Sequence, residues 1–234
     1  DRSPSRGLGD VYKRQIIMLG AQGTGKGTVA GILNKKNNWV QLSTGDIFRE
    51  NISKGTELGI EANKYISKGC LVPDEVTISM VEKRLEELKN EKGIILDGFP
   101  RTINQAKKLD EILAKKGEKV DWVINLETPR DEIIERMMNR RVCSNSECKA
   151  TYNLKLHPSK VEGICDICGS KLIRRADDSD ASAIEKRLEI YDTETRPLVD
   201  FYKEKGIVIV EEISQKINRF ADEACEDFMK KIQK

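Results

Sequence analysis

The chain has 234 residues, with 41 Lys+Arg against 39 Asp+Glu for a formal net charge of +2, and 34% of its residues are charged. A balance this close to neutral supplies no general field for nucleic acid or a membrane surface, and no apolar run approaches the roughly 18 residues of a membrane span. With no secretory pattern in view, the expectation is one large α/β domain with inserted pieces, working in the cytoplasm without a membrane or nucleic-acid partner.

The first fifteen residues, DRSPSRGLGDVYKRQ, lack an apolar period and do not begin with Met. Residues 1–15 read as a disordered leader foreign to the fold, within which Val11–Gln15 is the part suited to extend a first strand. From Ile16 onward, apolar runs alternate with helical patterns. Strands are expected at Ile16–Gly20, Trp39–Ser43, Gly93–Asp97, Trp122–Leu126 and Ile207–Val210. Helices are expected at Lys26–Lys36, Asp46–Lys54, Glu57–Lys68, Asp74–Asn90, Thr102–Lys116, Arg130–Arg140, Ser182–Lys205 and Ser214–Ile232. Within Asp74–Asn90, Val76, Met80, Val81, Leu85 and Leu88 share one helical face. Such alternation predicts a parallel five-stranded sheet flanked by helices, with ligands at the carboxyl ends of its strands.

Two stretches interrupt this pattern. Residues 44–72 form a helical insert after the second strand, and residues 141–178 are poor in helical period and hold four of the six cysteines. The core is then 16–43, 73–140 and 179–234. Both inserts leave the sheet on its carboxyl side, where they can close over a ligand.

The run Ile16–Leu19 stops at Gly20-Ala21-Gln22-Gly23-Thr24-Gly25, followed by Lys26 and a helix. A buried strand feeding a glycine loop turns backbone N–H groups inward around a chain of phosphates; the helix dipole and the lysine add positive charge. Gly27 holds the place where the general pattern has a hydroxyl, and Thr28 comes one later. This stretch implies a bound nucleoside triphosphate. Asp97 ends an apolar strand beside that loop, a position suited to supporting hydrated Mg²⁺. Arg49, Arg101, Arg136, Arg140, Arg141, Arg175 and Arg187 fall near strand ends or inserts, where guanidinium groups would neutralise a transferring phosphoryl group. Spacing does not choose among them.

Cys143-x4-Cys148 is followed by sixteen residues and then Cys165-x2-Cys168. Two thiolate pairs at this separation form a closed tetrahedral site, and the implied metal is a structural Zn²⁺. Cys70 and Cys225 read as ordinary thiols, and the lone His157, ahead of Pro158, as structural or solvated.

Gly20–Thr28 (GAQGTGKGT), Leu42–Arg49 (LSTGDIFR), Leu71–Asp74 (LVPD), Leu96–Thr102 (LDGFPRT), Arg140-Arg141-Val142 and Arg175–Asp178 (RADD) closely resemble the adenylate kinases, in order from Ile16 to about Val210. The resemblance implies a core, a monophosphate-binding insert and a lid, and reversible phosphoryl transfer from MgATP to AMP giving two ADP. By that likeness Gly23, Thr24, Gly25, Lys26, Gly27 and Thr28 would hold the ATP phosphates, with Arg140 beside them and Thr151 and Tyr152 over the nucleotide. Thr44, Arg49, Cys70, Leu71, Val72, Gly98, Phe99, Pro100, Arg101, Gln105, Arg175 and Arg187 would form the AMP site, with Thr44 and Gln105 reading adenine. Lys26, Arg101, Arg136, Arg140, Arg175 and Arg187 would surround the transferred group. The family expectation is a monomer. The chain departs from the pattern in three places: the x4 spacing of the first cysteine pair, one extra residue between Asp178 and Arg187, and no glycine turn after Val210. The residues around the ATP base therefore stay unassigned.

Three other readings compete. A UMP or CMP kinase is disfavoured by Thr44 and by the long cysteine-bearing segment. A zinc-containing, ATP-dependent nucleic-acid-binding protein would need aromatic residues near the cysteines, where only Tyr152 occurs. A GTPase switch would need an N-K-x-D motif.

Overall fold

The computed structural model describes residues 13–148, 150–175, 178 and 181–232. Most of the supposed leader, 1–12, lies outside these residues, but its last part does not. Strand β1 runs Arg14–Leu19, with Arg14 opposite Gly93 and Gln15 fully buried. Arg14 and Gln15 thus extend the first strand, as expected of the end of that segment, and the sheet begins two residues ahead of Ile16. A polar pair escapes an apolar-run reading, but Gln15 N–H donates to Asp121 Oδ2 at 2.7 Å and its amide donates to Glu118. These bonds satisfy its two nitrogens, while its buried Oε1 has no partner among the described residues.

Strands β2 (Val40–Ser43), β3 (Gly93–Asp97), β4 (Trp122–Glu127) and β8 (Val208–Glu212) join β1 in a five-stranded sheet of order β2-β3-β1-β4-β8, every neighbouring pair parallel. Because side chains alternate along a strand, β1 feeds two cores. Ile17 and Leu19 face the layer built with α4 (Asp74–Glu87), α5 (Ile103–Ala114) and α8 (Pro197–Lys203), around Leu85, Leu109 and Tyr202. Ile16 and Met18 face α1 (Lys26–Asn37) and α9 (Ala221–Ile232), around Leu33 and Phe228. The chain leaves β1 for β2, beyond β3, whereas it leaves β3 for β4, beyond β1, so the crevice at the carboxyl ends of β1 and β3 is the place where ligands collect in such sheets.

The first insert is α2 (Thr44–Ser53) and α3 (Glu57–Ile66), each capped by the hydroxyl before it, Ser43 accepting from Asp46 N–H and Thr56 from Gly59 N–H. Phe48, Ala62 and Val72 form its small core, against which Val76 and Met80 of α4 pack. The expected single face of α4 therefore serves two cores: Val81 and Leu85 lie in the main core, Val76 packs on the insert, and Met80 packs against both.

After α6 (Arg130–Met138), strands β5 (Arg140–Cys143), β6 (Thr151–Asn153) and β7 (Leu172–Ile173) make a separate antiparallel sheet of order β6-β5-β7.

The expected helix Ser182–Lys205 is divided into α7 (Ala181–Ile190), a π-helical turn at Tyr191–Thr195 and α8. Arg196 N–H donates to Tyr191 O, five residues back, just before Pro197, which has no N–H to give and whose ring crowds the preceding turn. The expected helix Ser214–Ile232 begins only at Ala221. Ser214 and Arg219 instead close a turn by mutual backbone hydrogen bonds, with Asn218 at φ 49°.

Candidate active site

The glycine loop follows β1 directly. Gly20 has φ 129°, and a Cβ there would lie 2.5 Å from the Leu126 carbonyl oxygen, so only glycine lets the loop turn this close to β4. Lys26, opening α1, donates to the carbonyls of Gly20 at 2.8 Å and Ala21 at 2.7 Å. Thr24 is buried and bonded to Ala21 O, whereas Gly27 and Thr28 are exposed at the helix start. Burial, opposed by Asp97 and reinforced by Arg101, Arg140 and Arg187, lowers the Lys26 pKa to about 8. The loop therefore contains cationic charge held at a cost that an anion would relieve.

Asp97 ends β3 near α1: a Cβ on Gly27 would lie 3.9 Å from its Oδ2, which also accepts from Gln41 at 3.0 Å. A carboxylate oxygen at this position is a donor that suits hydrated Mg²⁺. Beyond it, Gly98 has φ 79°, and a Cβ there would approach Thr44 Oγ1 at 2.9 Å and Arg101 Nη2 at 3.0 Å. The Gly98 carbonyl in turn accepts from Thr44 Oγ1 and Arg101 Nε, both at 2.9 Å.

These groups line a cleft open to solvent, about 650 Å³ including that open space, whose walls include Thr44, Arg49, Cys70, Leu71, Val72, Gly98, Arg101, Gln105, Arg175 and Arg187. A second cavity, ≈ 550 Å³, is lined by Gly20, Gln22, Lys26, Pro100, Tyr191 and Thr195 and shares Leu71, Gly98, Arg101 and Arg187 with the first. Two anion-seeking pockets thus meet at two guanidinium groups. Burial and the neighbouring charges of Arg187, Arg49 and Arg175, partly offset by Asp97, bring the Arg101 pKa down to about 10, so it stays cationic at neutral pH. Arg140 and Arg187 both bind the fully buried carboxylate of Asp178, Arg140 in bidentate fashion at 2.7 Å through Nε and Nη2. The residue inserted ahead of Arg187 leaves it in the cleft.

Not every expected residue lines these two cavities. Phe99 is fully buried in the main core, while its neighbour Pro100 lines the second cavity. Arg136 lies on α6. It pairs with Glu132 at 3.1 Å and donates to Ile213 O and Thr128 Oγ1, facing the Ser214–Arg219 turn. Through Ile213, which lies against Gly25, this contact brings Arg136 beside the glycine loop. Tyr152 turns its hydroxyl into the cysteine cluster, against Cys165 Sγ and the Asp166 N–H, and Thr151 is exposed.

The four lid cysteines converge. Cys143 and Cys168 sulfurs are 3.3 Å apart, Cys148 and Cys165 3.6 Å, and all four lie within 4.8 Å. A Zn–S length of about 2.3 Å gives sulfur–sulfur edges of about 3.8 Å, so these residues fit a tetrahedral zinc site despite the longer first spacing.

Some contributors were not signalled by the sequence pattern. Glu132, buried on α6, accepts from Ser214 Oγ at 2.6 Å and from the Gln215 and Lys216 N–H groups, fastening the C-terminal turn beside Arg136. Ile213, at the root of that turn, would lie 3.7 Å from a Cβ on Gly25, so the turn abuts the glycine loop. Thr195 of the π turn donates to Arg101 O at 3.0 Å. Asp74 and Asp178 lay within recognised motifs, but their partners became apparent only in three dimensions.

A glycine loop closing on a parallel strand, opposed by an arginine-lined pocket, defines a P-loop phosphotransferase class. A family model described as Adenylate kinase matches residues 18–207. An adenylate kinase of Caldicellulosiruptor bescii is 47% identical over 196 residues, covering 84% of this chain and 90% of that protein. One of Clostridium perfringens (strain SM101) is 45% identical over 211 residues, covering 90% and 96%. One of Caldanaerobacter subterraneus subsp. tengcongensis is 46% identical over 218 residues, covering 93% and 96%. The chain belongs to the adenylate kinase family.

Proposed function

We propose that this chain transfers the γ-phosphoryl group of MgATP to AMP, reversibly, giving two ADP. The observation that carries the reading is the meeting of two pockets at Arg101 and Arg187. In this reading the glycine loop from Gly23 to Thr28 holds the donor phosphates and Lys26 follows the transferred group. Arg49, Arg101 and Arg175 hold the acceptor phosphate. Thr44 and Gln105 face its base, flanked by Cys70, Leu71, Val72 and Gly98. Arg140 and Arg187, oriented by Asp178, neutralise charge on the equatorial oxygens. The acceptor phosphate is itself an anionic nucleophile at neutral pH, so no general base is needed. The work left to the protein is alignment, charge neutralisation and exclusion of water. Asp97 would support Mg²⁺, which when bound screens the β- and γ-phosphate charges.

Residues 44–72 act as the acceptor insert, 141–178 as the lid, and 16–43, 73–140 and 179–234 as the core. A structural Zn²⁺ on Cys143, Cys148, Cys165 and Cys168 would stand in for the lid's missing apolar core. A cytoplasmic monomer is the setting that fits this role. The test is ADP formation from MgATP with AMP, UMP or CMP supplied singly. AMP is expected to turn over fastest; faster turnover with UMP or CMP would overturn the assignment of acceptor.

A further inference from the structure

Gln105 is almost wholly buried, yet its amide borders the acceptor cavity. Both amide atoms already have partners. Oε1 accepts from the Arg101 N–H at 2.7 Å, and Nε2 donates to Asp74 Oδ1 at 2.7 Å. A backbone N–H can only donate and a carboxylate can only accept, so these two neighbours fix which end of the amide is oxygen. The reversed amide would set donor against donor at Arg101 and oxygen against oxygen at Asp74. Asp74 is itself held: its Oδ2 accepts from Thr102 Oγ1 at 2.9 Å and Asn104 Nδ2 at 2.8 Å, and it opens α4, where the helix dipole favours a carboxylate.

We infer that Asp74 is a specificity-determining positioning residue: by locking the Gln105 amide it restricts the acceptor to bases that carry an amine beside an unprotonated ring nitrogen. The inference rests on the reading that Gln105 faces the acceptor base. The amide has one further lone pair on Oε1 and one further hydrogen on Nε2. Such a pair matches the adenine edge, whose N6 amine donates and whose N1 accepts. Hypoxanthine has the same ring size but presents O6 and a protonated N1, the inverse pattern. Against a locked amide it meets oxygen with oxygen and hydrogen with hydrogen; against an amide free to rotate it finds a match. A site whose buried polar groups are left unpaired rejects an analogue strongly, so the lock converts a ring substituent into discrimination.

The test compares kcat/KM for AMP and IMP, at fixed saturating MgATP, in the wild-type chain and in Asp74→Asn, Asn104→Ala and Gln105→Met. Asparagine at 74 can present either its oxygen or its amine, so the Asp74 half of the lock is released and only the Arg101 N–H still orients the amide. The AMP-over-IMP preference is expected to fall about tenfold or more in Asp74→Asn, chiefly through a lower KM for IMP, with the KM for MgATP unchanged. Asn104→Ala removes another Asp74 partner without touching Gln105 and is expected to keep the wild-type preference. A purely structural role for Asp74 would reduce both substrates together and leave the ratio fixed, and that result overturns the inference. Thermal melting of each variant identifies any loss that comes from unfolding, which likewise affects both substrates equally. If Gln105→Met also keeps the ratio, the base-facing role of Gln105 fails; if it collapses the ratio while Asp74→Asn does not, only the lock fails.

Discussion

Lys26 caps the carbonyls of Gly20 and Ala21, and burial among guanidinium groups brings its pKa from 10.5 to about 8. In the unfolded chain this lysine keeps its proton up to about pH 10.5, so below pH 8 the folded protein bears the full cost of a desolvated charge. That cost is relieved as the pH rises from 8 to 10.5. The sign for ligand binding is the opposite. A triphosphate pairs with the ammonium form, so affinity is greatest below pH 8 and falls as Lys26 loses its proton. The KM for MgATP is therefore expected to be flat from pH 6.5 to about 7.5, then to rise, by at most about tenfold per pH unit, above 8. Lys26→Met should have a high KM without that rise. Initial rates across the pH range check both; a wild-type KM that stays flat to pH 9.5 would place the proton elsewhere. Arg101, lowered only to about 10, stays charged through the rise expected just above pH 8 and does not account for it.

At the level of elements, the lid shows how little apolar material holds three short strands. Its buried residues are Cys143, Cys165 and Leu172, with Cys148, Ala150 and Tyr152 partly buried around them. A set this small does not offset the ordering entropy of the segment, and a metal bound by four thiolates would supply the difference. About one zinc per chain is expected by elemental analysis of protein purified without added metal. Chelation should lower the melting temperature and admit proteolysis first between 141 and 175. A metal-free chain with unchanged melting behaviour would remove zinc from the account. Which elements could be read in advance follows from the same physics. Ile94, Ile95 and Leu96 announce a buried strand because each side chain has one place to go. The turn at Ser214–Arg219 does not announce itself, because it depends on Glu132, eighty-two residues from Ser214 in the chain. The π turn had a local sign in Pro197, but a helical apolar pattern on both sides concealed it.

Across the whole molecule, the parallel sheet brings the glycine loop, Asp97 and Gly98 to one end, and the two inserts rise from the same side. The loop was legible because strand, glycines, lysine and helix are contiguous. The arginines were not, because a guanidinium in the cleft and one facing the C-terminal turn have the same local sequence character. Arg136 and Arg140 lie four residues apart, yet Arg136 pairs with Glu132 on α6 while Arg140, at the start of β5, binds Asp178. Arg101 and Arg187 line both cavities, and in the proposed reading a phosphoryl group passing between them would meet the same charges throughout. Closure of the lid over this junction would keep water from competing with the acceptor. The most direct measurement is to mix the chain with MgATP labelled in the γ-phosphate and AMP, and to follow the label through a single turnover. The account predicts that the label appears in the β-phosphate of newly formed ADP at a rate set by AMP, with almost none released as inorganic phosphate. Label released as inorganic phosphate at a rate indifferent to AMP would contradict it.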